Sequence, residues 1–355
     1  MVRASVVSIT LALLMWRVIA DGATGCVDPR SGVSFAVMVW YGQDSSKVAH
    51  GRRRLPGLAI TLTLFLSPAP LAEPFAVAAA LPELAPTQVV QAQPDTDERL
   101  TVPVHLAGQG PFRFLVDTGS QSTVVASTLA GRLALAAGPT VRIVGIAGVE
   151  HAPTALIDQI GIGPRSLSGV TAPLLDGQDI GADGILGIDS LQNKRVLFDF
   201  ARDRIEILGP DETGSNRGYE IVVRARRQAG QLVMTRARID GVATSVIIDT
   251  GAATSVGNRA LQRALRRRGG TMTSVTLRSV TGQVLNAELD VARKLELDAI
   301  HVENLVIAFA DNPAFDALGL SARPALFLGM RELRLFDRIA IDFDARKVLF
   351  DVPRL

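Results

Sequence analysis

The sequence predicts a mostly β fold of two similar lobes related by a pseudo-twofold axis. Three observations carry this. The segments "LTVPVHLAGQGPFRFLVDTG" (residues 100–119) and "LVMTRARIDGVATSVIIDTG" (232–251) align without a gap at an offset of 132. Each alternates apolar and polar residues, turns, and climbs into a continuous apolar run, which is the pattern of a strand pair whose second member is buried. The copies then continue with matching features in the same order, the mark of an internal repeat. Two copies of one fold pack readily about a twofold axis, which sets equivalent residues face to face.

Those matching features follow in order. Short helices are expected in "VASTLAGRLAL" (125–135) and "NRALQRALRRR" (258–268). Glycine-bearing strand pairs follow in "VRIVGIAGVEHA" (141–152) and "VTLRSVTGQVLNA" (275–287). Later come an apolar pair and a glycine, Ile185-Leu186-Gly187 and Phe327-Leu328-Gly329, and then a strand holding Asp199-Phe200 or Asp342-Phe343. The polar stretch "GPDETGSNRG" (209–218) separates the copies. The lobes are therefore expected at 99–210 and 218–355, each of ordinary domain size. Ahead of them, "PTQVVQAQPDTDE" (86–98) reads as a linker rich in Pro, Gln and Asp.

Residues 1–85 differ from the rest and read as a signal or anchor region. Arg52, Arg53 and Arg54 precede the apolar run "LPGLAITLTLFLSPAPLA" (55–72), and small residues follow at Ala78–Ala80. A basic stretch, a short apolar core and a small-residue zone describe a secretory signal. The run is too short and too Pro-rich for a span, which takes about 20 apolar residues. A signal so far from Met1 suggests translation starting downstream, for instance at Met38 or Val48. A second apolar stretch, "SVVSITLALLMWRVIA" (5–20), stays open as a signal or membrane anchor in its own right. The expected location is export to the periplasm, with N-terminal anchoring as the variant.

Composition narrows the chemistry. With 48% hydrophobic and 20% charged residues the chain is globular rather than disordered. A net charge of +2 gives no footing for nucleic-acid binding, and the basic run Arg266–Arg268 reads as a solvated helix end. His50, His105, His151 and His301 are scattered without paired ligand spacing, so no metal and no cofactor is expected. Cys26 is the sole cysteine, and it lies outside the repeat. No GxSxG elbow or phosphate-binding loop occurs.

What remains is Asp117 and Asp249, each at the end of an apolar strand, where a carboxylate is costly unless it is paired or used. Alone, Asp-Thr-Gly is a turn-like tripeptide. Duplicated about an axis, it brings two carboxyls together, and two carboxyls so placed share one proton. The ionised member can take a proton from water while the protonated one donates to a substrate carbonyl.

The segments "FLVDTGS" and "VIIDTGA", each followed later by "ILG" or "FLG", resemble the aspartic proteases, nearest to the retropepsin-like enzymes of bacteria, here with two lobes in one chain as in the pepsins. The resemblance covers 99–355. It implies the acid-protease fold and an exported endopeptidase acting on a peptide or protein substrate as a catalytic monomer. It makes Asp117 and Asp249 the water-activating pair. It has Thr118 and Thr250 bracing the two loops reciprocally, and Gly119 and Gly251 presenting N–H groups to the carboxylates. Gly187 and Gly329 would let the apolar segments cross behind the loops. Gly145–Gly148 and Ser279–Gly282 are candidates for a substrate-covering flap. The pattern departs from pepsins in having no disulfide and, after Tyr41, only Tyr219, which favours the retropepsin-like branch. The alternative is a peptide-binding module that keeps the fold without turnover. Ser120 follows the first triplet where Ala252 follows the second, so its hydroxyl is expected to donate to Asp117 and leave the shared proton on Asp249.

Overall fold

The computed structural model describes residues 7–10, 33–35, 40–41, 89–95, 98–163, 165–209, 219–265 and 272–353. The expected signal run at 55–72, its small-residue zone, Cys26 and nearly all of 5–20 lie outside the described residues, as do 210–218 and Arg266–Arg268. No helix among the described residues is long and apolar enough to cross a membrane.

Each half is a β lobe, as the alternation predicts. In the first, Leu100–Leu106 and Gln109–Val116 form an antiparallel hairpin. Its turn is permitted by Gly108, whose φ of 72° most side chains avoid. Phe114, Leu115 and Val116 are all buried, because a third strand, Gly184–Leu186, runs parallel beside them and Val124–Ala126 closes its other edge. The second half repeats this with Gln231–Ile239, Val242–Ile248, Ala325–Leu328 and Ser255–Gly257. The expected helices form over Ser127–Arg132 and Arg259–Leu265, each just after the short strand that closes the site. A long hairpin follows in each half, Ala136–Val144 with Val149–Ile162 and Thr273–Ser279 with Val284–Leu297.

A third sheet belongs to both halves. Its six strands run in the order Ile221–Arg224, Lys347–Asp351, Arg338–Asp342, Arg195–Asp199, Arg204–Leu208, Val89–Gln91. The pseudo-twofold passes between the central antiparallel pair, where Leu197 faces Ala340. One face is apolar, with Val196, Phe198, Ile339, Ile341 and Phe350 in the main core.

This sheet corrects the reading of 86–98 as a linker. Val89–Gln91 pairs with Arg204–Leu208, and Gln93–Pro94 pairs with the start of Leu100–Leu106. The strand Ile221–Arg224 is the copy of Val89–Gln91 at the same offset of 132. The duplication thus begins upstream of Arg99. Short edge strands need little apolar sequence, since one partner supplies all their ladder bonds, so Pro and Gln concealed this one.

Arg195 and Asp342 tie the halves across the central pair. The guanidinium donates to Asp342 Oδ2 through Nε at 3.0 Å and an Nη at 2.6 Å, and both side chains are buried. Removing one partner of a buried pair strands the other charge, at a cost of about 3–5 kcal/mol. Arg195→Met is expected to destabilise the protein by roughly 3 kcal/mol in chemical denaturation. Arg236→Met, at the exposed pair with Asp298, should cost under ~1 kcal/mol. Equal losses for the two would contradict this placement of stability.

Candidate active site

Each Asp-Thr-Gly loop sits where a buried strand ends against its parallel neighbour. Asp117 N–H donates to the Leu186 carbonyl and Asp249 N–H to the Leu328 carbonyl, both at 3.0 Å. The apolar-apolar-glycine segments thereby fix where each aspartate leaves its strand. Gly187 and Gly329 then cross behind the loops so closely that a Cβ would run into the backbone of Ser122 and of Thr254.

The two loops meet through their threonines. Thr118 N–H donates to Thr250 Oγ1 (3.0 Å), and Thr250 N–H donates to Thr118 Oγ1 (3.3 Å). Each hydroxyl passes its own proton into the other half, Thr118 to the Ile248 carbonyl (2.9 Å) and Thr250 to the Val116 carbonyl (2.7 Å). All four bonds cross between the halves, and both threonines are 2% exposed, so water does not compete for them.

This brace presses each glycine onto the opposite aspartate. A Cβ on Gly119 would lie 2.5 Å from the Asp249 carboxyl carbon, and one on Gly251 would collide with the carboxyl of Asp117. No side chain fits at either place. The main-chain amides also serve their own carboxyls: Gly119 N–H (2.7 Å) and Ser120 N–H (3.0 Å) donate to Asp117 Oδ1, and Gly251 N–H (3.0 Å) to Asp249 Oδ1. The Oδ2 atom of each aspartate is buried without a hydrogen-bond partner.

Both aspartates are 0% exposed. Burial pushes Asp117 above the ordinary carboxylate range, opposed by the Gly119 and Ser120 amides, the neighbouring Asp249 carboxyl and the charge of Arg99. Asp249 is held well above that range, first by burial and then by the charge of Asp117. Two buried carboxyls so placed favour holding one proton between them, and the second amide on Asp117 Oδ1 favours leaving that proton on Asp249. A charged and a protonated carboxyl side by side can act as base and acid toward one substrate.

The Ser120 hydroxyl has a different partner from the expected one. It donates to the Ser122 carbonyl at 2.8 Å, and only the Ser120 main-chain N–H reaches Asp117. The loop curls back on itself after the triplet, and its nearest acceptor takes the proton. What distinguishes the first loop is thus the Ser120 amide and not its hydroxyl.

The hairpin turns at Gly145–Gly148 and Ser279–Gly282 meet each other. A Cβ on Gly145 would stand 3.1 Å from Ser279 Oγ, and one on Gly148 would clash with the Gln283 amide. Ile146, fully buried, packs in one apolar cluster with Val233, Ile247 and Ala252 of the other half. Arg278, on the strand leading into the second turn, donates through Nε and an Nη to one oxygen, Oδ1, of Asp179 of the first half at 2.9 and 2.7 Å. Among the described residues, no group of three or more His, Cys, Asp or Glu is placed to hold a metal ion.

A family model described as aspartyl protease matches the chain twice, over residues 102–190 and 235–331. The two matches enclose the two Asp-Thr-Gly loops and both crossing glycines. No curated protein matches the chain.

Sequence reading missed the polar groups behind the loops. Thr123 and Ser255 occupy the same place after each aspartate, a regularity visible in the sequence. Thr123 Oγ1 accepts from Gly187 N–H (3.2 Å) and Ser255 Oγ from Gly329 N–H (3.0 Å). The first half completes this with Asp189, which accepts from Thr123 Oγ1 at 2.7 Å and from the Thr123 N–H. The second half uses Glu332, whose Oε2 accepts from Ser255 Oγ at 2.5 Å while Oε1 is buried without a partner.

Burial raises Glu332 from 4.5 to about 7, against the Ser255 hydrogen bond and the charge of Arg331. The folded chain holds this proton more tightly than the unfolded chain does. Its stabilisation is therefore fully present below about 4.5 and is lost as pH rises through about 7, a span worth roughly 3 kcal/mol. Glu332→Gln is expected to flatten this decline. Denaturant titrations of both proteins at pH 5 and pH 8 check it, and an equal decline in the two would remove Glu332 as the source.

Proposed function

The chain belongs to the aspartyl protease family, and from that premise we propose that Asp117 and Asp249 form one catalytic pair that hydrolyses internal peptide bonds of a peptide or protein substrate. The observation that carries this is the reciprocal threonine brace, which leaves each carboxyl against the glycine of the other loop.

The chemistry follows from one proton shared by two carboxyls. Charged Asp117 removes a proton from water as its oxygen bonds to the amide carbon. Asp249 gives its proton to the carbonyl oxygen, which becomes a hydroxyl on a tetrahedral carbon. Collapse breaks the C–N bond, with a proton passing to the leaving nitrogen, and a carboxyl and an amine result. Burial strengthens each of these interactions relative to water. In this proposal the two glycine turns are the cover over the pair, and an extended substrate enters once they part and lies between them and the loops.

Both halves stand in one chain, so the proposed enzyme works as a monomer. Export to the periplasm is part of the proposal and rests on Arg52–Arg54 ahead of the apolar run at 55–72. N-terminal sequencing of the native protein tests that part: a mature chain beginning upstream of Arg52 would contradict it.

Cleavage of a peptide library by the full chain tests the pair. Asp117→Asn and Asp249→Asn are each expected to lower kcat/KM more than about a hundredfold, since each removes an acid–base group. Full activity in either variant would refute a pair built from both halves. Binding without turnover by the wild type, across peptides and pH, would instead establish a peptide-binding module.

A further inference from the structure

The two carboxyls differ in their donors, and the difference begins at a residue outside the Asp-Thr-Gly loops. Gln231 opens the strand Gln231–Ile239 in the second half, is 1% exposed, and donates from Nε2 to the Gly119 carbonyl in the first half at 2.8 Å. That carbonyl shares a peptide unit with the N–H of Ser120, which donates to Asp117 Oδ1 at 3.0 Å. One planar group thus accepts from Gln231 at one end and donates to Asp117 at the other. Planarity makes the two bonds mutually orienting, because rotating the peptide to lose one loses the other. Hydrogen bonds in such a chain also polarise one another.

The second half lacks this arrangement. At the position matching Gln231 stands Arg99, whose guanidinium goes to Asp95 at 2.6 Å and to the Ile180 carbonyl at 3.2 Å. The amide matching Ser120 is that of Ala252; it bonds the main-chain oxygen of Asp249 at 3.4 Å and favours the Asp249 anion only from beyond hydrogen-bond range of the carboxyl. Asp249 Oδ1 has the Gly251 amide at 3.0 Å as its close main-chain donor.

We infer that Gln231 is a positioning residue for the pair, holding the Gly119–Ser120 peptide so that Asp117 is the member that carries the negative charge. This rests on the reading of Asp117 and Asp249 as a catalytic pair. Two amides on one oxygen favour its ionised form. The side chains that bear on Asp117 are Asp249, whose carboxyl favours the ionised form of Asp117, and Arg99, whose charge does the same and which is already paired with Asp95. Gln231 is neutral, so it acts on Asp117 only through the peptide it holds. The proton is thereby assigned to Asp249 before substrate arrives.

Gln231→Met keeps the volume and removes the donor. Weakening the support for the Asp117 anion makes it take up a proton more readily. The acid limb of the kcat/KM profile is therefore expected to move up by about half to one pH unit, a three- to tenfold loss at a fixed pH on that limb. The plateau should be much less affected. A superimposable acid limb, whatever happens to the plateau, would overturn the inference. Should Gln231→Met fail to fold, carboxyl carbon NMR of the wild-type chain decides the same point, with the two resonances assigned from Asp117→Asn and Asp249→Asn. The Asp117 resonance is expected to carry most of the first ionisation, and a first step borne by Asp249 would overturn the inference. Failure of the catalytic-pair reading looks different, because the single Asn variants would then cleave normally at every pH.

Discussion

Two threonine hydroxyls hold the halves together at the point where the chemistry is proposed. Each accepts an amide from the other loop and donates to the strand behind it, so Val116, Thr118, Ile248 and Thr250 form one closed set of bonds. The contact is possible because both loops leave their strands at the same height, fixed by the Leu186 and Leu328 carbonyls. It is useful because it sets the glycine of one loop under the carboxyl of the other. A single lobe can make half of each interaction. The duplication, the shared six-stranded sheet and the crossing of the apolar segments all serve to bring the second half to this place.

Burial then does what the brace alone cannot. Two carboxyls in water would both ionise, whereas two at 0% exposure hold a proton between them. Three of the protein's buried acids lie here, Asp117 and Asp249 in the loops and Glu332 behind the second, while Asp189 holds the matching place behind the first from the surface. The rear pair is asymmetric, since Asp189 is met by several donors and Glu332 by the Ser255 hydroxyl. The halves have kept the same backbone plan while their polar contents have diverged, which suits the different parts proposed for the two carboxyls.

Much of this was legible in the residues. The repeated Asp-Thr-Gly located the loops, the apolar pairs before Gly187 and Gly329 located the crossing strands, and alternation gave the hairpins. What stayed hidden was set by packing between the halves. Nothing local says that Gln231 reaches Gly119, or that Glu332 is enclosed beside Ser255, because each partner lies far away in sequence. The strand Val89–Gln91 was concealed for another reason: at a sheet edge it takes its structure from the neighbour and needs no apolar signature. The Ser120 hydroxyl shows a third limit, since a side chain beside the right residue can still have a nearer acceptor in its own loop.

The central claim is that the two aspartates feel each other across the pseudo-twofold, and the ionisation of Asp249 reports this without reference to any substrate. Its carboxyl carbon should be titrated by NMR in the wild type and in Asp117→Asn. Removing the charge of Asp117 takes away the second-largest influence that raises Asp249, so its ionisation is predicted to move to lower pH. An Asp249 titration that stays where it was would mean that the two carboxyls are not one site.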